Sequence, residues 1–430
     1  MVATVDLLIQ HAAQVVTPAG RGRLAGPEQG RLEIVPDGAV AIAGGRVVAV
    51  GPTGTVQGSV GLGRTTRILD ARGKVVTPGL VDAHTHVVYA GDRLDDFEQR
   101  ARGATYAEIL AAGGGIHRTV AATRAASADE LALQASSRLD RMLLAGTTTA
   151  ESKSGYGLDT DTELRQLEVM GRKALGRRHP LELIPTFLGA HAIPPGQDGD
   201  AFVDYLIADM LPAVARQGIA KFCDVFCERG VFTVEQSERL LLAAREHGLA
   251  PKVHADELAD TGGAALAARL GAASADHLHC ANPAGLAAMA ASGTVATLLP
   301  GTGLFLGMRE HAAARDMIEM GAPVALGTDC NPGSCPSHSM ALMMSLAVTQ
   351  LRLSPAEALV AATANAAAAC GAGERLGRIA PGFQADLVVW DAADFRAIAY
   401  HLGANLVRNV IKRGVVVHET EEFRPVYSGA

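Results

Sequence analysis

The stretch Val81-Asp82-Ala83-His84-Thr85-His86 places two histidines one residue apart at the end of an apolar run, within the longer segment VTPGLVDAHTHVVYAGDR (76–93). In a β-strand, residues i and i+2 point to the same face of the sheet. The pattern therefore predicts a buried strand whose last residues carry two imidazole rings on one face.

Seven further short apolar runs follow, and alanine-rich helical patterns lie between them. One such helix is TVEQSERLLLAAREHG (233–248), for which Thr233 is a suitable N-cap. Eight strands that alternate with helices predict an α/β fold, a closed (β/α)8 TIM-like barrel. The seven runs are TTTAES (147–152), LELIPTFLGAH (181–191), AKFCDVFC (220–227), PKVHADE (251–257), ASADHL (273–278), TVATLLP (294–300) and PVALGTD (323–329).

The two ends of the chain have a different sequence pattern, in which short β-like runs alternate with glycine turns. Each end is too short to bury a core alone, so we expect 1–77 and 379–430 to pair into one small β-sandwich domain beside a barrel over 78–378. Gly44-Gly45 lies between two alternating apolar runs and predicts a hairpin. The glycine-rich segment 20–62 as a whole is expected to be a surface excursion.

Composition narrows the classes of protein to consider. Of the 430 residues, 48% are hydrophobic and 19% are charged, and the net charge is −7 with basic residues scattered along the chain. This balance is typical of a globular enzyme and argues against a nucleic-acid partner. No window approaches the ~20 apolar residues of a membrane helix, and the first residues lack the features of a signal peptide, so we expect a cytoplasmic protein. The six cysteines are expected to be reduced thiols.

Polar side chains stand at the ends of several predicted strands. His191 ends the third strand, His254 and Glu257 end the fifth, His277 ends the sixth and Asp329 ends the eighth. A single histidine at a strand end is more often structural, but several that meet at one barrel mouth favour a metal site. The set His84, His86, His254 and Asp329 offers three nitrogens and one oxygen, which suits one Zn²⁺ or Fe²⁺ ion and leaves a position for water.

This arrangement resembles the amidohydrolase superfamily, in which HxH on strand one, histidines on strands five and six and an aspartate on strand eight recur. The flanking segments AGDRLDDFEQRARGATYAEILAAGGGI (90–116), ESKSGYGLD (151–159), FLGAHAIP (187–194), GTDCNPGS (327–334) and HLGANLVRNVIKRG (401–414) are similar to those of the imidazolonepropionase family. The resemblance implies that the substrate pocket is lined by Arg93, Tyr156, His191, Glu257, Asn331, Gly333 and Ser334.

The activity that the resemblance implies is hydrolysis of the ring amide C–N bond of 4-imidazolone-5-propanoate to N-formimidoyl-L-glutamate, a step of histidine degradation. A metal lowers the pKa of bound water from ~15.7 towards ~7, which makes hydroxide the attacking group. Glu257 is expected to act as general base and then general acid. His277 is expected to orient the hydroxide or to stabilise the oxyanion, and Asp329 to share in proton handling.

The sequence leaves two interpretations open for Arg93 and for Tyr156. Arg93 either binds the substrate carboxylate or pairs with Asp95 or Asp96 at the surface. Tyr156 either faces the pocket or packs in the SGYG turn. The backbone N–H groups of Gly333 and Ser334, together with Asn331, are expected to hold polar groups of the product. Lys153 ends strand two and is not expected to bridge a second metal as a carbamate.

Two other functions fit part of the pattern. A nucleobase deaminase of the guanine or cytosine type from the same superfamily would use the same HADE and Asp motifs, but a nucleobase offers no carboxylate to Arg93. A catalytically inactive barrel scaffold would be expected to lose the ligand positions, and all of them are intact. Barrels of this kind commonly pair, so we expect a homodimer.

Overall fold

The computed structural model describes residues 4–105, 108–109, 112–171 and 179–420. Its strands are β1 (Thr4–Pro18), β2 (Leu32–Ala43), β3 (Arg46–Pro52), β4 (Gly61–Asp70), β5 (Val75–Pro78), β6 (Leu80–Asp82), β7 (Thr147–Lys153), β8 (Glu182–Ala190), β9 (Phe222–Cys227), β10 (Ala250–Pro251), β11 (Val253–Ala255), β12 (Ser274–His277), β13 (Val295–Leu298), β14 (Val324–Leu326), β15 (Leu387–Trp390), β16 (Val407–Lys412) and β17 (Val415–Glu419).

The helices follow most of the barrel strands, as the alanine-rich patterns predict. A 3₁₀ helix covers Gly26–Gly30 and a π-helical turn covers Leu206–Met210. The α-helices are Thr53–Ser59, Leu94–Ala101, Ile116–Ala125, Ala128–Leu144, Thr160–Gly171, Gly199–Tyr205, Leu211–Gln217, Val234–Glu246, Gly263–Arg269, Pro283–Ser292, Pro300–Leu306, Ala314–Met320, Met340–Thr349, Pro355–Ala361, Ala364–Ala369 and Ala397–Tyr400.

The predicted (β/α)8 barrel is confirmed. Strands β6, β7, β8, β9, β11, β12, β13 and β14 are parallel neighbours in that order, and β10 leads into β11 along β9. The first and last strands close the barrel just beyond their ends, where the N–H of Asp329 donates to the carbonyl of His84 at 2.9 Å and the N–H of His86 donates to the carbonyl of Cys330 at 3.0 Å. Closure itself therefore brings the two segments with predicted metal ligands side by side.

Local sequence signals fix the helix starts that the barrel needs. Thr233 caps the helix Val234–Glu246, as predicted, because its hydroxyl accepts from the N–H of Gln236 while the Gln236 side chain accepts from the N–H of Thr233. Ser127 and Glu130 form the same capping box at the start of Ala128–Leu144. Such reciprocal caps satisfy two N–H groups that a helix start leaves without partners.

The two chain ends build a second sheet, as predicted. Its strand order is β17-β16-β15-β5-β1-β2-β3, and β4 pairs with β1. One face carries an apolar cluster to which both ends contribute, including Leu7 and Ile9 from β1 and Leu387, Val389 and Ile411 from the C-terminal strands. The domain boundaries at 77/78 and 378/379 stay a prediction, and the terminal residues 1–3 and 421–430 lie outside the described part of the chain.

The expectation that 20–62 is a surface excursion is wrong. β2 and β3 lie within this segment, and β2 pairs along β1 with Ala39, Val40, Ala41 and Ile42 fully buried. The predicted hairpin at Gly44-Gly45 does join β2 to β3, and both glycines have positive φ, 57° and 74°. The many glycines of this segment suggested a loop, and they made the alternation of buried and exposed side chains along β2 difficult to recognise in the sequence.

Two further observations bear on the composition-based expectations. Among the described residues, none of the helices combines the length and the hydropathy required to cross a membrane. All six cysteines are free thiols, and five of them are buried.

Glu182 at the start of β8 joins the barrel to the second sheet through an ionic cluster. It contacts Arg375, Lys412 and Arg413, and Lys412 also contacts Asp386 at 2.7 Å. Burial opposes ionisation of Glu182, but the hydrogen bond from Arg375 and the charges of Lys412, Arg375 and Arg413 lower its pKa to about 2. The ionised carboxylate is therefore strongly preferred in the folded protein.

We expect Glu182→Gln to lower the free energy of unfolding by about 2–3 kcal/mol at pH 7, the order that such a pKa shift implies. Because the pKa is depressed in the folded state, this contribution is present above the ordinary value of 4.5 and is lost as the pH falls towards 2. Urea unfolding of both proteins at several pH values checks this. The gap between them should narrow below about pH 4.5, whereas a gap that does not change with pH would contradict an ionic origin.

Candidate active site

Three predicted ligand atoms meet at the mouth of the barrel. The Nε2 atoms of His84 and His86 are 3.3 Å apart, and they lie 3.5 Å and 3.6 Å from Oδ1 of Asp329. Ligands about 2.0–2.1 Å from a tetrahedral metal ion are themselves about 3.3–3.4 Å apart. The spacing of these three atoms therefore fits one divalent cation, and all three side chains are buried.

His254, on β11, completes the donor set from the opposite side of the barrel. One of its ring nitrogens lies within 4.8 Å of donor atoms of His84 and His277, and within 4.8 Å of those of His86 and His191. Its Nε2 is buried and has no hydrogen-bond partner. A buried nitrogen without a partner is costly unless something binds it, so the observation supports a ligand role.

Two aspartates, which the sequence reasoning missed, hold the outer nitrogens of two of these histidines. Oδ2 of Asp276 is 2.6 Å from Nδ1 of His84, and Oδ2 of Asp224 is 3.1 Å from Nδ1 of His254. Because an ionised carboxylate only accepts, the hydrogen bond to Asp276 places the ring proton of His84 on Nδ1 and the lone pair on Nε2. Burial lowers the pKa of His84 well below its usual value, which keeps the ring neutral and able to bind a metal.

Asp329 is fixed by its neighbours rather than by strand geometry. The hydroxyl of Thr302 donates to Oδ2 of Asp329 at 2.7 Å, and the hydroxyl of Ser334 donates to the same atom at 3.1 Å. The other oxygen, Oδ1, is the one that faces Nε2 of His84 and His86. Its backbone φ is +55°, and that of His277 is +78°. Left-handed backbone at residues other than glycine is strained and is commonly found at functional sites.

Glu257 and His277 lie next to each other at the same mouth. Oε1 of Glu257 is 3.5 Å from Nδ1 of His277. Burial, and then the charges of Asp329 and Glu228, raise the pKa of Glu257 to about 8. A carboxyl group whose pKa lies near neutrality can both accept and return a proton, as a general base and acid must.

A cavity of about 570 Å³ opens onto this cluster. It is lined by all the predicted substrate residues and by most of the predicted ligands: His86, Arg93, Tyr156, His191, His254, Glu257, His277, Asp329, Asn331, Gly333 and Ser334. Apolar residues such as Ile116, Phe226 and Leu306 complete its wall. Such a cavity, mostly apolar with a few converging polar groups, is typical of a small-molecule site.

Arg93 faces the cavity and not the surface carboxylates. Its Nε donates to Thr119 at 2.9 Å, whereas Asp95 and Asp96 contact Arg118 at 2.8 Å and 3.4 Å. The alternative in which Arg93 pairs with these aspartates is therefore wrong. Within the described residues, no carboxylate lies within 4 Å of the Arg93 guanidinium nitrogens.

Arg100 is a second cavity arginine, and the sequence reasoning missed it. Its Nη2 donates to the carbonyl of Gly333 at 3.3 Å, while its Nη1 is buried without a partner. Arg93 is the N-cap of the helix Leu94–Ala101, and Arg100 follows seven residues later in its last turn. This spacing of about two helical turns was the available signal.

His191 and Tyr156 form one wall of the cavity, so the turn interpretation of Tyr156 is not needed. Nδ1 of His191 donates to the carbonyl of Gly155 at 3.0 Å, which leaves its Nε2 as an acceptor. Burial lowers the pKa of His191 to about 3, and burial raises the pKa of Tyr156 above its usual value. Both side chains are therefore neutral at physiological pH.

The expected role of the Asn331–Ser334 turn needs correction. The N–H groups of Gly333 and Ser334 both donate to Oδ1 of Asn331 at 2.8 Å, and Nδ2 of Asn331 donates to the Ser334 hydroxyl at 2.7 Å. These groups satisfy one another, as in an ordinary Asx turn, and are not open to hold a product. In this structure the turn instead orients Ser334 towards Asp329.

Comparison with known proteins agrees with this geometry. A family model described as "Amidohydrolase family" matches residues 94–418. An imidazolonepropionase from Chloroflexus aggregans is 51% identical over 97% of this chain and 99% of its own length, and one from Symbiobacterium thermophilum is 50% identical over 98% and 99%.

Two solved structures share the fold. An adenosine deaminase from Xanthomonas campestris with bound zinc has a TM-score of 0.71 at 20% identity, and the match covers 97% of this chain and 93% of that chain. A triazine hydrolase variant has a TM-score of 0.72 at 19% identity, and the match covers 98% of this chain and 96% of that chain. Barrel, site and matched model together define a hydrolase of the metal-dependent amidohydrolase class. Within that class, the chain belongs to the imidazolonepropionase family.

Proposed function

We propose that the protein hydrolyses the ring amide of 4-imidazolone-5-propanoate to N-formimidoyl-L-glutamate, a step of histidine degradation. The observation that carries the proposal is the guanidinium of Arg93, which has no carboxylate partner among the described residues and lines the same cavity as the His/Asp cluster. A small cyclic amide with a carboxylate side chain matches both features, since the carboxylate suits the guanidinium and the ring then lies towards the cluster.

His84, His86, His254 and Asp329 would hold one Zn²⁺ or Fe²⁺ ion. When bound, such an ion acts as a Lewis acid on the ring carbonyl and on water. The choice between zinc and iron follows metal supply more than these ligands, because imidazole and carboxylate bind both.

Glu257 takes a proton from the attacking water as the water oxygen bonds to the ring carbonyl carbon. As the C–N bond breaks, Glu257 returns that proton to the departing ring nitrogen. The carbon keeps the remaining O–H as a carboxylic acid, which then loses its proton to solvent to give the carboxylate. Its raised pKa, about 8, suits both halves of this transfer. Asp329, whose pKa burial also raises, is placed to share the proton handling.

His277 is placed to stabilise the oxygen that gains negative charge. It is neutral, since burial and the charge of His254 lower its pKa well below the usual value, and it lines the cavity beside Glu257. A preorganised donor of this kind contributes about 3 kcal/mol to transition-state stabilisation. His191 and Tyr156 complete the wall against which the planar ring packs.

Arg93→Gln is expected to raise KM by about 10-fold to 100-fold, because a hydrogen bond to a charged group is worth about 1.5–3 kcal/mol. Steady-state kinetics with imidazolonepropanoate measure this. Arg118→Gln is the matched control, since that guanidinium already pairs with Asp95 and does not line the cavity. Equal KM values for Arg93→Gln and the wild type would contradict the assignment of Arg93 to the substrate carboxylate.

The proposed activity is tested by incubating metal-loaded protein with freshly generated imidazolonepropanoate and following the loss of its ultraviolet absorbance. Guanine and cytosine are tested in parallel for ammonia release. Ring opening without ammonia release supports the proposal, and ammonia release alone would favour a deaminase. Protein that is inert in both assays and contains no metal would favour the scaffold.

We also propose that the protein is a cytoplasmic homodimer, without a nucleic-acid or membrane partner. The support is the scattered basic charge and the common pairing of barrels of this kind. Light scattering at micromolar concentration measures the oligomeric state.

A further inference from the structure

Lys153 is a fully buried lysine inside the barrel, at the end of β7. Its Nζ lies 2.8 Å from Oε1 of Glu151, 2.7 Å from Oδ2 of Asp224 and 3.4 Å from Oδ2 of Asp276. Three carboxylates around one nitrogen require an ammonium group. A carbamate at this position would place a fourth negative charge among them, which agrees with the expectation that Lys153 does not bridge a second metal.

The two aspartates that contact Lys153 are those that hold the metal-site histidines. Oδ2 of Asp224 contacts both Lys153 and Nδ1 of His254, at 2.7 Å and 3.1 Å. Oδ2 of Asp276 contacts both Lys153 and Nδ1 of His84, at 3.4 Å and 2.6 Å. A single carboxylate oxygen therefore links the ammonium group of Lys153 to the imidazole of His254, and another links it to the imidazole of His84.

We infer that Lys153 is a positioning residue for the metal centre, and this inference rests on the ligand set of the proposed function. Two buried aspartates close to the same point repel each other, and a single cation between them holds both in place. Asp276 in turn fixes the ring orientation and tautomer of His84 through a hydrogen bond, and Asp224 lies against Nδ1 of His254 as its nearest charge partner, 3.1 Å away. Partners of this kind commonly determine how well the ligands bind a metal.

Glu151 is the third carboxylate of the network. Besides Lys153, its carboxylate accepts hydrogen bonds from the Thr186 hydroxyl and, at 3.4 Å, from the N–H of Thr85, the residue between His84 and His86. A glutamine at this position keeps an oxygen that can accept these bonds. The cluster of one lysine and three acids thus joins β7 to β9 and β12 across the barrel, and its side-chain contacts with the histidine rings are those of the two aspartates. None of these four residues lines the cavity, so none of them touches substrate.

Lys252 is a matched control because it is the other fully buried lysine of the barrel. Its Nζ lies 3.3 Å from the carbonyl of Ala369 and 5.3 Å from the centre of the Phe222 ring. Among the described residues, no carboxylate lies within 4 Å of its ammonium group. It therefore shares the burial and charge of Lys153 and makes no ion pair with Asp224 or Asp276, although its charge helps to lower the pKa of Asp276 from a distance.

The experiment measures metal affinity in the apo form of the full chain. Lys153→Met alone leaves buried carboxylates without a counter-charge and can prevent folding. The double variant Lys153→Met/Glu151→Gln removes one charge of each sign, and it still deprives Asp224 and Asp276 of their shared cation. Zn²⁺ and Co²⁺ affinities are measured by competition with a chromophoric chelator, together with the cobalt absorption spectrum and urea unfolding of the apo protein.

We expect the double variant to bind Zn²⁺ about 10-fold to 100-fold more weakly than the wild type, the usual effect of losing such a partner, and its cobalt spectrum to change. Lys252→Met should keep the wild-type spectrum and affinity. A folded double variant with wild-type affinity and spectrum would overturn the inference, and so would an equal loss of affinity in Lys252→Met. The variant His254→Ala distinguishes failure of the Lys153 inference from failure of the proposed ligand set. Stoichiometric metal in that variant would contradict the ligand set itself.

Discussion

Replacing His254 with alanine should abolish both tight metal binding and turnover. Its Nε2 is buried without a partner, and its ring lies 4.5 Å from that of His84, centre to centre. Losing a residue that only supports a ligand costs about 10-fold to 100-fold in metal affinity. The loss of a ligand itself should exceed that range, and the variant should be purified with little or no metal. Elemental analysis and the ring-opening assay measure the two effects.

His279→Ala is the control for this variant. His279 lies two residues beyond His277 and also has a buried Nδ1 without a partner, but it does not line the cavity. It should keep the metal content and turnover of the wild type. If His254→Ala retained stoichiometric metal and full turnover, the ligand set would be wrong. If His279→Ala lost its metal instead, the sixth strand would supply a ligand from a different position.

Glu257→Gln is expected to lower kcat by about 10²-fold to 10⁴-fold, the range that general acid–base catalysis contributes. Glutamine keeps the size of the side chain and cannot transfer the proton. Because Glu257 is not one of the proposed ligands, the variant should retain its metal. Turnover close to that of the wild type would move the role of general base to another group, for which Asp329, a second carboxylate that lines the cavity and has a raised pKa, is the candidate.

The pH dependence of kcat/KM provides a second measurement of the same role. A general base must be ionised, and burial raises the pKa of Glu257 to about 8, so activity should rise with pH until this group is ionised. A bound cation nearby favours the ionised form and moves this acid limb below pH 8. The limb should be absent from the residual activity of Glu257→Gln, and its persistence there would contradict the assignment.

Much of the fold and of the site was predictable because both follow from strand periodicity. The i, i+2 spacing of His84 and His86 fixes two ligands on one face, and barrel topology brings His254 and Asp329 to the same mouth. Glu257 and Arg93 were also predictable, from their position after a strand end and from the family resemblance. All of them lie at the cavity or in the cluster beside it.

The parts that sequence did not reveal depend on contacts between distant segments. Asp224 and Asp276 stand inside strands, where a charged residue signals only that it must have a partner and does not identify that partner. For Lys153 the sequence indicates only that it is not a bridging carbamate, because the three carboxylates that surround it come from three different strands. The turn at Asn331 was expected to face the ligand, but whether an N–H group is open depends on the side-chain conformation of Asn331.

Metal-dependent ring opening is the central claim, and one measurement tests it most directly. The purified protein is stripped with a chelator, dialysed and assayed with imidazolonepropanoate before and after Zn²⁺ or Fe²⁺ is added back in increasing amounts. We predict no turnover in the stripped protein, and recovery that reaches a plateau at one metal ion per chain. Full turnover in the stripped protein, or a metal-saturated protein that leaves the absorbance of imidazolonepropanoate unchanged, would contradict the account.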